Sequence, residues 1–451
     1  MNFPLLLWKY LELRGNGRLT PGELAERRLE KFRRLVRFVN GRSAYYARIV
    51  REHGIDPGAS VPENFPVLTK SALMEHFDGI VTTPAITKKK IADFLSRSED
   101  PSEPCEGKFI VLRTSGSSGR TGYFVYSGSD WSRGFAQFLR FHDVALRRRT
   151  AAYFGSTRGH FAGVTQFLTG CRSLFGLLCR AEAFDINDPL RQFISRLNVL
   201  QPEILSGYPS GLLMLARSQL EGSLRIAPSF IYSSGEALSP EARGTIERAF
   251  PVSLLDLYDS SEHMLMAISN PGGGMYLLED DLIFEIHADH ACVTNLFNRT
   301  LPLIRYRMDD VLEPLPLLAP GRPLPYTRIK NIVGRMEHAL FLTNRHGAVD
   351  FVSPSALTEF HAEGLRLFQV RVTGRSSFLF RACLEDGLGQ EERERTFREI
   401  RAGLRQMLAR KEMENVTFEI EEARDLRVDA KTGKFRLVLT GANGDTHAAG
   451  P

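Results

Sequence analysis

Hydroxyl-bearing residues and glycines alternate through Thr114-Ser115-Gly116-Ser117-Ser118-Gly119-Arg120-Thr121-Gly122, directly after the apolar run 109–112. Such residues can cradle a phosphate. Glycine lets backbone N–H groups approach an anion closely, hydroxyls add neutral donors, and Arg120 adds positive charge. The run is not a Walker loop, because the G-x-x-x-x-G-K-[ST] pattern is absent. By composition alone it reads equally as a flexible Ser/Gly linker. Other candidates are as two-sided when taken singly. Tyr258 reads as a buried aromatic closing a strand, and Arg305-Tyr306-Arg307 with Asp309-Asp310 as a surface salt-bridge cluster. His160 beside Phe161 reads as a packed histidine before a catalytic base. Lys434, after Gly433, reads as a solvated hairpin lysine, with Lys431 three residues upstream.

The elements that must position these residues follow from periodicity. Apolar runs at 109–112, 151–154, 203–205, 230–232 and 252–257 predict strands, and helical patterns at 131–146, 189–200, 209–220 and 240–250 separate them. Ser239 with Pro240 gives the last helix a cap and a first residue. This alternation predicts a largely parallel sheet with helices on both faces and ligands beyond the C-terminal strand ends. Upstream, Thr20-Pro21-Gly22-Glu23 carries a capping box. The helix it opens places Leu29, Phe32, Val36 and Val39 on one stripe. Its basic residues Arg27, Arg28, Lys31, Arg34 and Arg37 fall largely on a face that reads as solvated before membrane-bound.

The rhythm changes after Asp310. A proline-rich loop spans 314–325, and 329–334 reads as a short strand or connector. A boundary near 334–338 then divides a large domain, 1–336, whose first 100 residues are mainly helical, from a small one, 337–451. The small domain has strands predicted at 367–373, 378–382 and 416–420 and a helix at 391–410, hence an α+β unit. The segment 441–451 has the composition of a frayed end, and internal repeats are absent.

Composition narrows the class further. The chain has 451 residues, 43% hydrophobic and 25% charged, which excludes a disordered or collagen-like chain. Length alone suggests roughly two or three domains. The net charge of +5 comes from 58 basic and 53 acidic residues, so no nucleic-acid partner is implied, and Arg147-Arg148-Arg149 reads as a solvated helix end. The five cysteines include no C-x-x-C pair, which argues against a disulfide framework or a standard zinc site and fits the cytoplasm. The apolar run 3–8 is too short to span a bilayer and lacks a cleavage site, so neither export nor membrane insertion is expected.

Taken together, the blocks resemble the adenylate-forming superfamily of acyl-CoA synthetases, luciferases and peptide-synthetase adenylation domains. Thr114 to Gly122 resembles its phosphate loop. Ser234-Gly235-Glu236-Ala237-Leu238-Ser239, Tyr258-Asp259-Ser260-Ser261-Glu262, Ile304-Arg305-Tyr306-Arg307-Met308-Asp309-Asp310, Gly334-Arg335-Met336-Glu337 and Lys431-Thr432-Gly433-Lys434-Phe435-Arg436 follow in the superfamily's order. Asn40-Gly41-Arg42-Ser43-Ala44-Tyr45-Tyr46 and Phe65-Pro66-Val67-Leu68-Thr69-Lys70 are similar to the phenylacetate-CoA ligase-like branch.

The resemblance implies an α/β fold: a large N-terminal domain with mostly parallel sheets flanked by helices, and a small mobile α+β C-terminal domain. It implies ATP and Mg²⁺ as cofactors and CoA as co-substrate. Thr114, Ser115, Gly116, Ser117, Ser118, Gly119, Arg120 and Thr121 would hold phosphates. Gly235, Glu236 and Tyr258 would border adenine, and Asp310 would accept from both ribose hydroxyls. Arg328 or Arg335 would approach ribose or phosphate. Glu262 would hold Mg²⁺, Lys434 would bridge carboxylate and α-phosphate, and Glu337 would be the hinge. Phe154, His160, Phe161, Tyr208 and Ser234 would border the acid. Gly122 stands where many relatives carry Lys or Thr, Asp259 where Gly is usual, and Met308-Asp309 precedes the ribose aspartate in place of Thr-Gly or Thr-Arg. The activity implied is adenylation of an aryl or bulky cyclic carboxylic acid and transfer to CoA. Transfer to an amine or a carrier-protein thiol, or adenylylation of a small-molecule cofactor, are the alternatives. Monomer and homodimer both stay open.

Overall fold

The computed structural model describes residues 1–114, 121–141, 149–171, 179–270, 273–316, 324–330, 332, 339–352, 356–357, 360–424, 426 and 437–439. The predicted boundary at 334–338 lies outside them, as do the cradle residues 115–120 and the segment 427–436.

A nine-stranded sheet dominates. Its order runs from Pro314–Leu315 through Arg328–Ile329, Met275–Leu277, Met264–Ser269, Leu254–Ser260, Phe230–Ser233, Ile204–Gly207 and Arg149–Gly155 to Cys179–Asp185. The last five pair in parallel; four of them are strands that the strand and helix alternation predicts and the fifth, Cys179–Asp185, is an addition, while the first four extend the sheet antiparallel. Side chains alternate between faces. Phe154, Phe184, Leu205 and Ile231 lie in one core with helices Leu190–Leu200, Pro209–Leu220 and Pro240–Ala249. Tyr153 instead meets Phe161 and Val164, the latter on helix Ala162–Cys171. Ser239 caps the helix after it by accepting from Ala242 N at 3.1 Å, with Pro240 as first residue.

Two expectations change. Phe109–Arg113 is not part of the parallel sheet; it pairs antiparallel with Tyr123–Ser127, from Phe109↔Ser127 to Arg113↔Tyr123. Both strands are buried on both faces, so alternation could not distinguish a hairpin from a sheet strand. The consequence is functional, because the hydroxyl- and glycine-rich run is the connection of this hairpin. Second, the basic face of helix Pro21–Asn40 is not wholly solvated. Its capping box and its buried Phe32, Val36 and Val39 are as read from sequence. However, Arg28 reaches Glu279 at 2.6 Å and Lys31 reaches Asp281 at 2.8 Å. Lys9 adds a 2.7 Å bond to Asp281 and Arg140 a 2.8 Å bond to Asp280, both aspartates being buried.

A separate three-stranded sheet joins Leu282–Ile286, Ala291–Asn295 and Tyr306–Met308. Near the C-terminus, Leu365–Gly374, Ser377–Leu384, Thr417–Glu422 and Val438–Leu439 form a four-stranded sheet. Ile400, Leu404 and Leu408 of helix Gln390–Arg410 share a core with it, drawn from residues 340–438. This is the α+β unit expected.

Candidate functional site

The site is built where the base of the hairpin loop approaches the turn after Leu254–Ser260, the middle strand of the large sheet. Thr114 follows strand Phe109–Arg113; its N–H donates to Gly122 O at 3.1 Å and its hydroxyl accepts from Gly122 N at 3.2 Å, which closes the base of the loop. That hydroxyl also accepts from Lys70 Nζ at 3.0 Å. A Cβ on Gly122 would lie 2.9 Å from Lys70 Cε and 3.0 Å from Thr114 Oγ1, so the ammonium stem occupies space that a side chain at 122 would need. Lys70 is placed by backbone pairing: Leu68 N donates to Arg305 O and Arg307 N donates to Leu68 O, each at 3.0 Å. Thr69 then caps the short helix that Lys70 begins. In the sequence Lys70 stands out only as the end of the Phe65–Lys70 block, and nothing local signals its contact with Thr114.

Opposite Lys70 stands a group of acids and tyrosines at the turn after strand Leu254–Ser260. Glu262 is only 8% exposed, and burial pushes its carboxyl up to about 7, with Lys70 pulling down and Asp310 pushing further up. Tyr258 donates its hydroxyl to Asp310 Oδ2 at 2.8 Å. Burial, then Asp310, raises that phenol well above its ordinary range. Tyr306 also acts on Glu262, and Tyr126 donates to the carbonyls of Ser261 and Glu262 at 2.8 Å, fixing the turn. Burial likewise pushes Asp259 up to about 7 and Asp256 up to about 6, the latter against the Ser233 hydroxyl. His263 is fully buried, and burial holds it neutral, down to about 3.

A second wall comes from the ends of two parallel strands. Gly235 has φ +81°, and a Cβ there would meet the Tyr208 ring at 2.8 Å, so only glycine lets this turn close against the aromatic. Ser234 N donates to Gly207 O at 3.1 Å, and Glu236 accepts from Ser210 N at 3.1 Å at the start of helix Pro209–Leu220. These turns lie beyond the C-terminal strand ends, where an open parallel sheet offers its ligand crevice.

The structure thus brings Thr114, Tyr258, Glu262 and Asp310 together with Lys70, and sets Tyr208, Ser234, Gly235 and Glu236 on the parallel-strand side. Thr121 is exposed beside the loop base. Three expectations are corrected. Phe154 does not border the cleft: it is 1% exposed and packs edge-on to Phe193 at 5.0 Å, on the helix side of the sheet. His160 is buried, shares a 3.1 Å hydrogen bond with Ser98 Oγ and packs on Phe94, a structural histidine; Phe161 beside it carries the Arg113 guanidinium 4.9 Å above its ring. Arg328 directs one terminal nitrogen to Pro316 O at 2.8 Å and the other to Gly273 O at 3.0 Å, so it pins two loops and does not reach toward Asp310. Ser115, Gly116, Ser117, Ser118, Gly119, Arg120, Arg335, Glu337 and Lys434 lie outside the described residues.

No protein-family model matches the sequence. Among curated proteins, Protein CapK of Staphylococcus aureus is 26% identical over 369 residues, covering 75% of this chain and 73% of that protein. Among solved structures, 2-hydroxyisobutyryl-CoA ligase in its postadenylation state, in complex with R3-HIB-AMP, superposes with a TM-score of 0.57. The identity is 19%, over 94% of this chain and 91% of that one. The same ligase in complex with 2-HIB-AMP and CoA in the thioesterification state gives 0.60 at 19% identity, over 94% and 91%. This chain therefore has the fold of an adenylate-forming CoA ligase, C-terminal α+β unit included.

Proposed function

We propose that the protein uses ATP to activate a carboxylic acid, of an aryl or bulky cyclic kind, as an acyl-adenylate and then passes the acyl group to the thiol of CoA. The observation that carries this reading is convergence: Lys70, Thr114, Glu262 and the Tyr258–Asp310 pair come from four distant stretches of chain and meet at one place.

In the first half-reaction a carboxylate oxygen attacks the α-phosphorus and pyrophosphate leaves. Thr114 and residues 115–121 present neutral donors to the β- and γ-phosphates, and Lys70 adds positive charge beside Thr114. Asp310, already accepting from Tyr258, has a second oxygen for the ribose hydroxyls. Gly235, Glu236 and Tyr258 border the base, and Tyr208, Ser234 and Phe161 lie toward the acid. Glu262 fits Mg²⁺: a nearly buried carboxylate held close to its protonated form by burial regains its charge beside a hard cation. The ion would neutralise phosphate charge. Lys434 would bridge the two reacting anions, and Arg335 would approach the nucleotide. Rotation about Glu337 would then exchange the small domain's adenylation face for one that admits the thiol, whose sulfur attacks the carbonyl as AMP leaves.

A panel of aromatic, alicyclic and fatty acids in a pyrophosphate exchange assay tests the first step. Acid-dependent exchange by the aromatic or alicyclic members is expected; silence across the panel rejects the reading. A mass-detected screen of CoA, amines and carrier-protein thiols then identifies the acceptor. An adenylylated cofactor as final product would contradict acyl transfer. We place the enzyme in the cytoplasm, in keeping with its unpaired cysteines.

A further inference from the structure

Away from the nucleotide cleft, the hairpin between strands Leu282–Ile286 and Ala291–Asn295 carries three side chains of metal-ligating type. The strands pair as Ile286↔Ala291 and Glu285↔Cys292, and His287 N donates to His290 O at 2.9 Å across the turn. Side chains alternate along a strand, so His287 shares a face with Glu285, and His290 shares one with Cys292. Since Glu285 and Cys292 are register partners, all four lie on the same face. The geometry follows: one donor atom from each of His287, His290 and Cys292 lies within 4.8 Å of the others. The two imidazoles stack with centroids 4.5 Å apart and 19° between planes. His290 Nδ1 meets Asp289 Oδ1 at 2.7 Å. A carboxylate on one ring nitrogen fixes the tautomer and presents the other nitrogen as a ligand, the usual companion of a metal-bound histidine.

We propose that His287, His290 and Cys292 bind one divalent transition-metal ion of the zinc class, oriented by Asp289. Two imidazoles and a thiolate suit Zn²⁺ among divalent ions, whereas Mg²⁺ and Ca²⁺ take oxygen donors. Tetrahedral zinc, with bonds of about 2.0–2.3 Å, sets its donors roughly 3.3–3.8 Å apart. Rotation of the exposed His287 provides the closure. The fourth position faces solvent and takes water. Binding pins the hairpin next to strand Tyr306–Met308, which pairs with it through Cys292↔Arg307 and leads to Asp310. In the sequence the three ligands form H-x-x-H-x-C, a spacing without the paired cysteines of standard zinc motifs.

The test uses the untagged full-length protein, stripped with chelator and titrated with Co²⁺, then with Zn²⁺ in competition. The expected result is saturation at one equivalent, with a thiolate-to-cobalt charge-transfer band that Zn²⁺ abolishes. Cys292→Ser should lose that band, Asp289→Asn should weaken binding by about 10- to 100-fold, and saturating Zn²⁺ should raise the Tm of the wild type but not that of His287→Ala. Absence of the band in the wild type, or its persistence in Cys292→Ser, overturns the site. Because Cys292 is fully buried, His287→Ala, on the exposed turn, provides the deciding variant should the serine protein not fold. Unchanged affinity in His287→Ala refutes the proposal.

Discussion

At the scale of single residues, Gly122 and Lys70 act as a pair. The adenylate-forming pattern that the sequence resembles often has a side chain at this loop position; here glycine leaves the space to Lys70, which supplies a cation from another element. Lys70→Met should lower acid-dependent exchange by about 100-fold, the order of losing one preorganised donor, with partial recovery in Lys70→Arg. An unchanged rate would remove Lys70 from the site. Asp259 yields a stability prediction. Burial raises its carboxyl to about 7, so between the unfolded value near 4 and about 7 the folded state holds the proton more tightly, and stability falls as pH rises through that window. Asp259→Asn should therefore stabilise the protein by on the order of 2 kcal/mol above pH 7 and hardly at all near pH 4. Thermal melts across pH would show this, and a uniform gain at every pH would contradict it. The blocks holding Thr114, Tyr258, Glu262 and Asp310 were legible because each is a short local pattern. Lys70 was not, since its position depends on Leu68 pairing with a strand far along the chain. Phe154 and Arg328 were misread because a residue type does not disclose which face of a sheet it occupies or which carbonyls it will find.

Among the elements, helix Pro21–Asn40 shows how a charged face can be structural. Its cap and its apolar stripe follow from sequence, but the acceptor for Arg28 and Lys31 is a remote acidic turn at Glu279, Asp280 and Asp281. Burial alone would raise the Asp281 carboxyl; Lys31 and Lys9 overcome it and hold the group well below the ordinary carboxylate range. A depressed carboxylate contributes stability that is present above its unfolded pKa near 4 and is lost as pH falls toward its folded value. Asp281→Ala leaves the buried Lys9 and its neighbour Lys31 to share Glu12 as their one remaining carboxylate partner, and should cost about 2–4 kcal/mol at neutral pH. Denaturant unfolding at pH 7 and at acid pH measures it, and an equal loss at pH 7 and at a pH below the folded value would contradict the ionic origin. Four of the five parallel strands are readable from strand and helix alternation; Cys179–Asp185 is not. Nor are the antiparallel strands at 264–295, because short apolar runs broken by glycines and acids carry no helix between them to mark their order.

Across the whole molecule, the C-terminal unit is held to the large sheet by a compact ionic contact. Arg410 reaches Asp188 at 2.9 Å and Asp185 at 3.2 Å, just past strand Cys179–Asp185. Lys411, bound to Asp350 at 3.0 Å, donates to Ile186 O at 3.1 Å and to Asp188 O at 2.9 Å, and Arg191 pairs with Glu412. Phe351, fully buried, extends the same contact into the core that holds Phe154. The two-step reaction proposed above would release such a contact between its half-reactions. Asp188→Lys should therefore change pyrophosphate exchange and overall thioester formation unequally, by roughly 10-fold in their ratio; equal changes would show that the contact is indifferent to the domain cycle. The decisive quantity is acid-dependent exchange of pyrophosphate into ATP, measured on the wild type and on Lys434→Ala with ATP affinity recorded in parallel. Adenylation chemistry requires exchange in the wild type, its loss by at least about 100-fold in the variant, and ATP binding retained in both; undiminished exchange by Lys434→Ala, or none by the wild type with any acid, contradicts it.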